Sequence, residues 1–360
     1  MSGAVSPMRI VIVCELSQGA NSYAFARAFR RMGHSVVIVS EQMFVGFGWR
    51  SFALKAARKA LSGAMAADFN SELIDQAEAL RPHLLFVCKG TLVAPETVDA
   101  VKATGATAIL WWPDVSFMVH GANVPKAMPR YDWIFTTKTF GLADMRKTLG
   151  VSAASFMPHA YDPETHTPAA CDAEDVARYA CDVSFIGTWS PKKQALLEAL
   201  VTKRSQTKLK IWGAQWGAAG AILKPSIMDR GVFGTEYAKA IGQSKINLAA
   251  LSEVRAGASM GDLITSRTFH IPAAGGFMLH ERTSEIGDYF HEGEECAMYS
   301  DADEMIAKID HYLASPEVRQ TIAAKGRARC LASPYSIDDR AREVLAKTAA
   351  LRGGGLTPSA

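Results

Sequence analysis

The sequence predicts an α/β protein made of two doubly wound domains, each a parallel sheet flanked by helices. Three observations carry that expectation. The chain opens on a continuous apolar run, Met8–Cys14 (MRIVIVC), the pattern of a central parallel strand buried on both faces. Short apolar runs then alternate with amphipathic stretches through both halves, as repeated βαβ units do. Between the halves lies an aperiodic stretch rich in Pro, His, Asp and Thr, Pro158 to Ala177, which reads as a linker. At 360 residues the chain is too long for one ordinary core and suits two of about 150–180 residues each.

In order, the loop 15–20 leads into a helix expected over 21–32. Ala24, Phe25, Ala28, Phe29 and Met32 form its inward stripe and Gly33 its C-terminal cap. A strand follows at 35–40. Further strands are expected at 84–88, 106–111, 133–136 and 154–157, with helices at 67–80, 95–103 and 139–149. The second alternation places strands at 182–186, 208–212, 246–248, 277–279 and 296–299. Its helices fall at 192–202, 235–241, 263–273, 302–314, 316–331 and 337–351. The helix after Ser300 is well signalled: Asp301 with Glu304 makes a capping box, and Met305, Ile306, Ile309 and Leu313 keep the helical period. The expected domains are 1–165 and 181–335, joined by a linker at 166–180. A helix at 336–352 is expected to pack back on the first domain, and the tail 353–360 to fray.

Composition narrows the function classes. Hydrophobic residues at 49% and charged residues at 21% are ordinary for a globular protein. A net charge of +3 is too small to indicate a nucleic-acid partner. The six cysteines (14, 88, 171, 181, 296, 330) show no CxxC or Cys/His metal spacing, which fits reduced thiols in a cytoplasmic protein. No segment reaches the ~20 apolar residues of a membrane span, and Met1–Pro7 lacks the layout of a signal peptide. Residues 43–61 interleave Met43, Phe44, Val45, Phe47, Trp49, Phe52 and Leu54 with Arg50, Lys55, Arg58 and Lys59. Such a segment suits peripheral contact with anionic lipid on the inner face of a membrane, or a lipid-linked acceptor; equally, it reads as a helix with a solvated basic face.

Several residues suit chemistry by type and place. Ser266-Arg267-Thr268 opens a helix, where free N–H groups and the dipole favour an anion. An arginine there is disfavoured unless an anion is present. Gly19 and Asn21 open the first helix and suit close approach of an acceptor or a phosphate, without a full GxGxxG. Trp112 and Asp114 follow a strand: the aromatic suits stacking on a sugar, and the carboxylate suits a base toward an acceptor hydroxyl. His120 and His159 are further candidates in that role. Asn247 at a strand end suits either a ligand hydrogen bond or an Asx turn.

Tyr237-Ala238-Lys239, Ser244-Lys245-Ile246-Asn247-Leu248 and Ser266-Arg267-Thr268-Phe269-His270-Ile271-Pro272-Ala273-Ala274-Gly275-Gly276 resemble the donor-binding half of glycosyltransferases of the GT-B fold. The resemblance is to the group typified by spore-maturation protein B. It runs from Cys181 to about Arg340, and more loosely over the first half. It implies two Rossmann-like domains facing a central cleft, a nucleotide-sugar held by the second and an acceptor by the first. It implies that Gly187 and a basic residue, Lys192 or Lys193, face the donor diphosphate, and that Gly213 and Trp216 line a base pocket. Tyr237 and Asn247 then flank the cleft, and Gly275-Gly276 allow close approach. His270 departs from the pattern, because glutamate is usual there and binds ribose hydroxyls, which one imidazole cannot do bidentately.

These readings lead to a glycosyltransferase that moves a sugar from a nucleotide-diphospho-sugar to a glycan, lipid-linked or protein acceptor. Arginine, lysine and a helix N-terminus are expected to stabilise the leaving diphosphate, with no metal or other cofactor. Asp301-Ala302-Asp303 matches a metal-binding triplet in letters only, since it opens a helix. The alternatives are a non-catalytic binding or assembly protein of the same fold, which His270 favours, and a sugar-nucleotide epimerase, which needs more carboxylates and histidines than these.

Overall fold

A computed structural model describes residues 7–45, 52–228 and 230–353, with the backbone path alone over 52–60. Of the expected lipid-contact segment 43–61, residues 46–51 lie outside the described residues and the side chains of 52–60 are not described; 354–360 of the tail and positions 1–6 also lie outside. The chain forms two compact units. The first comprises residues up to Pro158, Arg255–Met260 and the residues from Asp338 on; the second comprises His159–Val254 and Gly261–Ile337.

The first unit runs β1 (Arg9–Val13), α1 (Asn21–Arg31), β2 (Ser35–Val39), α2 (Phe52–Leu80), β3 (Leu84–Cys88), α3 (Pro95–Ala103), β4 (Thr107–Trp112), α4 (Asn123–Ala127), β5 (Trp133–Thr136), α5 (Gly141–Leu149) and β6 (Ala154–Phe156). Its six-stranded sheet has the order β2-β1-β3-β4-β5-β6, every pairing parallel. β3 and β4 are buried along their whole length, and Val11, Val13, Leu85, Val87, Leu110 and Trp112 enter one core. α1 stops where Gly33 takes φ +85°, a conformation glycine adopts without a Cβ clash. α2 begins at Phe52 rather than Ala67. Among its described side chains, burial begins only at Phe69, followed by Leu73 and Ala77. The short α4 escaped sequence reading because five residues do not show a period.

The second unit continues with α6 (Ala173–Tyr179), β7 (Cys181–Ile186), α7 (Pro191–Lys203), β8 (Leu209–Trp212), α8 (Thr235–Gly242), β9 (Ser244–Ala249), α9 (Ser266–Ala273), β10 (Met278–Glu281), β11 (Ala297–Tyr299), α10 (Ala302–Ala314), α11 (Pro316–Ala332) and α12 (Ile337–Gly353). The sheet order is β11-β10-β9-β7-β8, again all parallel. The order reverses between β7 and β9, and ligands of open α/β sheets sit beyond the carboxyl ends of strands at such a switch point. α6 lies inside the expected linker. Asp172 and Asp175 form a reciprocal capping box, and Asp175 pairs with Lys239 of α8 at 2.5 Å. The boundary between units falls at Pro158, and α12 is grouped from Asp338 with the first unit. There Lys347 Nζ lies 3.6 Å from the Trp133 ring centroid, and Arg352 donates to the His83 and Gly105 carbonyls. Among the described residues no helix is long and apolar enough to cross a membrane.

Candidate functional site

At the switch point of the second sheet, Arg267 bridges the carboxyl ends of β7 and β9. Its Nη1 donates to Ile186 O at 3.3 Å and its Nη2 to Ala250 O at 2.6 Å. The guanidinium lies over the Phe185 ring, 5.2 Å from its centroid. Among the described residues Arg267 makes no ion pair, and its buried Nε has no hydrogen-bond partner. Burial lowers its pKa, opposed by the more distant Asp262 and Glu281 among others, so this cation is only partly compensated at a helix N-terminus, where the dipole also disfavours it. Gly187 makes the approach possible, because a Cβ there would stand 2.7 Å from Arg267 Nη1. Gly213 backs it in turn: at φ +136° its Cβ would stand 2.1 Å from Gly187 O. Gly187 N also donates to Trp212 O at 2.9 Å, and Trp189 N to Ala214 O at 3.0 Å, fixing the two strand-end loops to each other.

The two candidate lysines part company. Lys193 is buried and its Nζ turns inward, donating to Thr188 O at 3.3 Å and Ser252 Oγ at 3.1 Å, beside the loops that follow β7 and β9. Lys192 pairs with Glu281 at 2.5 Å, whose other oxygen accepts from Leu251 N at 3.0 Å, and it lines a cavity of about 230 Å³ with Tyr299 and Asp301. Ser266 is the first residue of α9 and is half-buried, on the turn whose N–H groups lack intrahelical partners. Thr268, by contrast, is committed inside the protein. Its hydroxyl accepts from Thr265 N at 3.0 Å and contacts His280 Nε2 at 2.9 Å.

Other expected donor residues serve the scaffold. Trp216 is 3% exposed and sits in the core, its indole N–H donating to Gly187 O at 2.8 Å, so it presents no face to a base. Asn247 lies within β9 and spends its amide on Ser184, Ile241 and Phe277. Gly275 (φ +81°) terminates α9. A Cβ at Gly276 would meet Ile241 Cγ2 at 2.4 Å and Asn247 Nδ2 at 2.7 Å. These two glycines and Lys245 line a cavity at the amino end of β9, with Arg319, on the opposite edge of the sheet from Arg267. Their smallness makes a turn and a close helix–strand contact.

His270 is buried, contacts Ala160 O through Nε2 at 3.0 Å, and stacks on His166 with centroids 3.6 Å apart. Tyr237 meets both rings edge-on, at 5.3 and 5.7 Å, and its buried hydroxyl has no partner. The sequence offered no signal for His166, which arrives from the expected linker. Burial holds His270 well below the ordinary imidazole pKa, reinforced by His166, and lowers His280 to about 4. Both rings stay neutral in the folded state, while the unfolded chain binds protons below about pH 6.5. Their contribution is therefore whole above that pH and lost as pH falls below it; for His280 the loss runs down to about pH 4 and is on the order of 3 kcal/mol. The urea midpoint is expected to fall between pH 7 and pH 5, and to fall less in His280→Gln. An equal fall in the two proteins would refute this account.

In the first unit, the carboxyl edge of the sheet gathers a second set. Asp114 Oδ2 lies 2.6 Å from Lys89 Nζ and 3.1 Å from His120 Nε2. Neither contact is aligned as a hydrogen bond, which is common in catalytic groups before substrate binds. Burial lowers the His120 pKa, Asp114 opposes this, and Lys89 and Arg255 add to it. Lys89 was not foreseen. It takes φ +69° directly after β3, and such strained non-glycine backbone recurs at functional sites. Glu41 was also missed. It holds Thr91 Oγ1 and Leu92 N at 2.6 Å each, tying the loop after β2 to the loop after β3. Trp112 is buried at the end of β4, 5.5 Å edge-on from the His120 ring, so it supports that ring and offers no platform to a sugar. Gly19 and Asn21 do stand at the start of α1, after β1, and are half-buried. His159 is buried and is grouped with the second unit. Among the described residues no group of three or more His, Cys, Asp or Glu is placed to hold a metal ion.

Residues 192–346 match the family described as glycosyl transferase-like. No curated protein matches the chain. Among solved structures, a glycosyltransferase from Rickettsia africae ESF-5 has a TM-score of 0.66 at 12% identity, over 96% of this chain and 99% of that one. Sucrose-phosphate synthase from Thermosynechococcus elongatus has 0.64 at 10%, over 97% and 100%. HepE from Anabaena, solved with UDP and glucose, has 0.64 at 10%, over 95% and 100%. At these identities the likeness shows the fold, which is GT-B.

Proposed function

We propose, for this GT-B chain with its glycosyl transferase-like second half, that it moves a sugar from a nucleotide-diphospho-sugar to an acceptor hydroxyl. The observation that carries this reading is Arg267, a cation without an ion-pair partner among the described residues, held at a helix N-terminus on the switch point between β7 and β9. A diphosphate there completes the guanidinium's partial compensation and accepts from the first turn of α9. As the glycosyl bond breaks, the negative charge growing on the leaving diphosphate is met by Arg267, by Ser266 and by Lys193 through its loop. These groups take the place of a metal ion, and the reading calls for no cofactor. The UDP and glucose named for the Anabaena structure support a nucleotide-sugar as the donor class.

In the first unit, His120 is the base and Asp114 its partner. Asp114 stands against His120 Nε2, which leaves Nδ1 to take the acceptor proton, and the carboxylate stabilises the imidazolium that results. A base of this kind suits single displacement with inversion. His270 contributes no ribose contact of the carboxylate type, its Nε2 being spent on Ala160 O. That favours one second reading, a protein that binds the nucleotide-sugar without transferring it. A thermal-shift panel of UDP, GDP, dTDP, CDP and CMP, with their sugars, tests both. Stabilisation by one nucleotide with release of sugar to an acceptor supports the transferase. Stabilisation without release supports the second reading, and no stabilisation by any of them refutes both.

A further inference from the structure

The first unit exposes large apolar side chains beside His120, at Met118, Val119 and the 255–260 segment. Among the described residues it has seven large ones. Leu61 and Leu351 lie on long helices, and the other five lie beyond strand ends or in the 255–260 segment: Met43 closes a single 3-10 turn after β2, and Leu16, Met118, Val119 and Met260 lie in the loops after β1 and β4 or in that segment. Each of the five is at least 43% exposed. Met118 and Val119 directly precede His120. The 255–260 segment is fastened beside them: Ser116 Oγ donates to Ala256 O at 2.6 Å, and Ser259 N to Asp144 Oδ2 at 3.0 Å. A Cβ on Gly257 would stand 2.6 Å from Met118 Cγ. The same segment brings Arg255, exposed and close enough to His120 to lower its pKa.

Exposed apolar side chains gathered in one place mark an interaction surface. A hydrophilic glycan at His120 would leave Val119, Met118 and Met260 in water, whereas an apolar chain would cover them. Arg255 adds a positive charge at the same rim, which complements an anionic group on that occupant. We infer that the acceptor is a single anionic amphiphile: its hydroxyl reaches His120, its alkyl or isoprenoid chain lies on Met118, Val119 and Met260, and its anionic group pairs with Arg255. Only the placing of the hydroxyl rests on the transferase reading.

The test uses the full chain and n-butyl, n-hexyl and n-octyl phosphate below their micellar concentrations, with binding read by calorimetry. The Kd is expected to fall about fourfold for each buried methylene, so about 15-fold from hexyl to octyl. Val119→Asp and Met260→Asp are expected to flatten that dependence, with melting temperatures near wild type because both sites are exposed. Arg255→Ala is expected to weaken octyl phosphate and to leave octyl glucoside unchanged. Chain-length independence, or a dependence that survives both aspartate variants, overturns the inference. So does binding to phosphatidylglycerol vesicles without binding of monomeric octyl phosphate, which would make this a membrane-docking face. A self-association abolished by Val119→Asp would overturn it in favour of a second copy of the chain. Chain-length-dependent binding with no nucleotide stabilisation would refute the transferase reading and leave the amphiphile site standing.

Discussion

Arg267→Gln is expected to abolish nucleotide stabilisation and to lower turnover by about two to three orders of magnitude, the usual cost of removing one preorganised donor to developing charge. A ligand at 100 times its Kd stabilises the native state by about 2.7 kcal/mol, so its loss is easily read in a melting curve. The apo protein is expected to melt at the same temperature or higher. Arg267 is desolvated, is met by Asp262 and Glu281 only beyond ion-pair distance and sits against a helix dipole, so removing its charge offsets the loss of its two carbonyl bonds. This combination of lost binding and kept stability separates a ligand-binding role from a bracing one. If the apo variant melts far lower, the two carbonyl bonds to Ile186 and Ala250 are what Arg267 is for, and the donor site lies elsewhere.

His120→Ala is expected to lower kcat by about 10²- to 10⁴-fold, the range for general-base removal, with nucleotide affinity unchanged. Asp114→Asn is expected to cost less and to show its role in the pH profile. The His120 pKa lies below the ordinary imidazole value, chiefly through burial, so the acid limb of kcat/KM should fall below pH 6.5. Asp114 raises that pKa and Lys89 lowers it. Asp114→Asn should therefore move the acid limb to lower pH, and Lys89→Met should move it to higher pH. Opposite shifts from two substitutions around one imidazole are not produced by loss of folding. An acid limb unmoved by both would remove His120 from the role of base.

The sequence by itself determined the two α/β alternations, most strand and helix positions, the caps at Gly33 and Asp301, and the arginine at the start of α9. These follow from burial periodicity and from backbone rules that act over a few residues. The rest was decided by tertiary structure, because it depends on partners distant in the chain. Nothing local separates Lys192 from Lys193; the first meets Glu281 and the second Ser252, 59 residues away. Trp216, Asn247 and Thr268 have residue types suited to a ligand, yet the fold spends them on Gly187, Ser184 and His280. Gly275 and Gly276 read as ligand glycines only until strand direction puts them at the amino edge of the sheet. Lys89 became visible only when its left-handed backbone aimed it at Asp114. The sheet brings strand ends together by register, and residues far apart in sequence become one site there, for a reason no window of neighbouring residues contains.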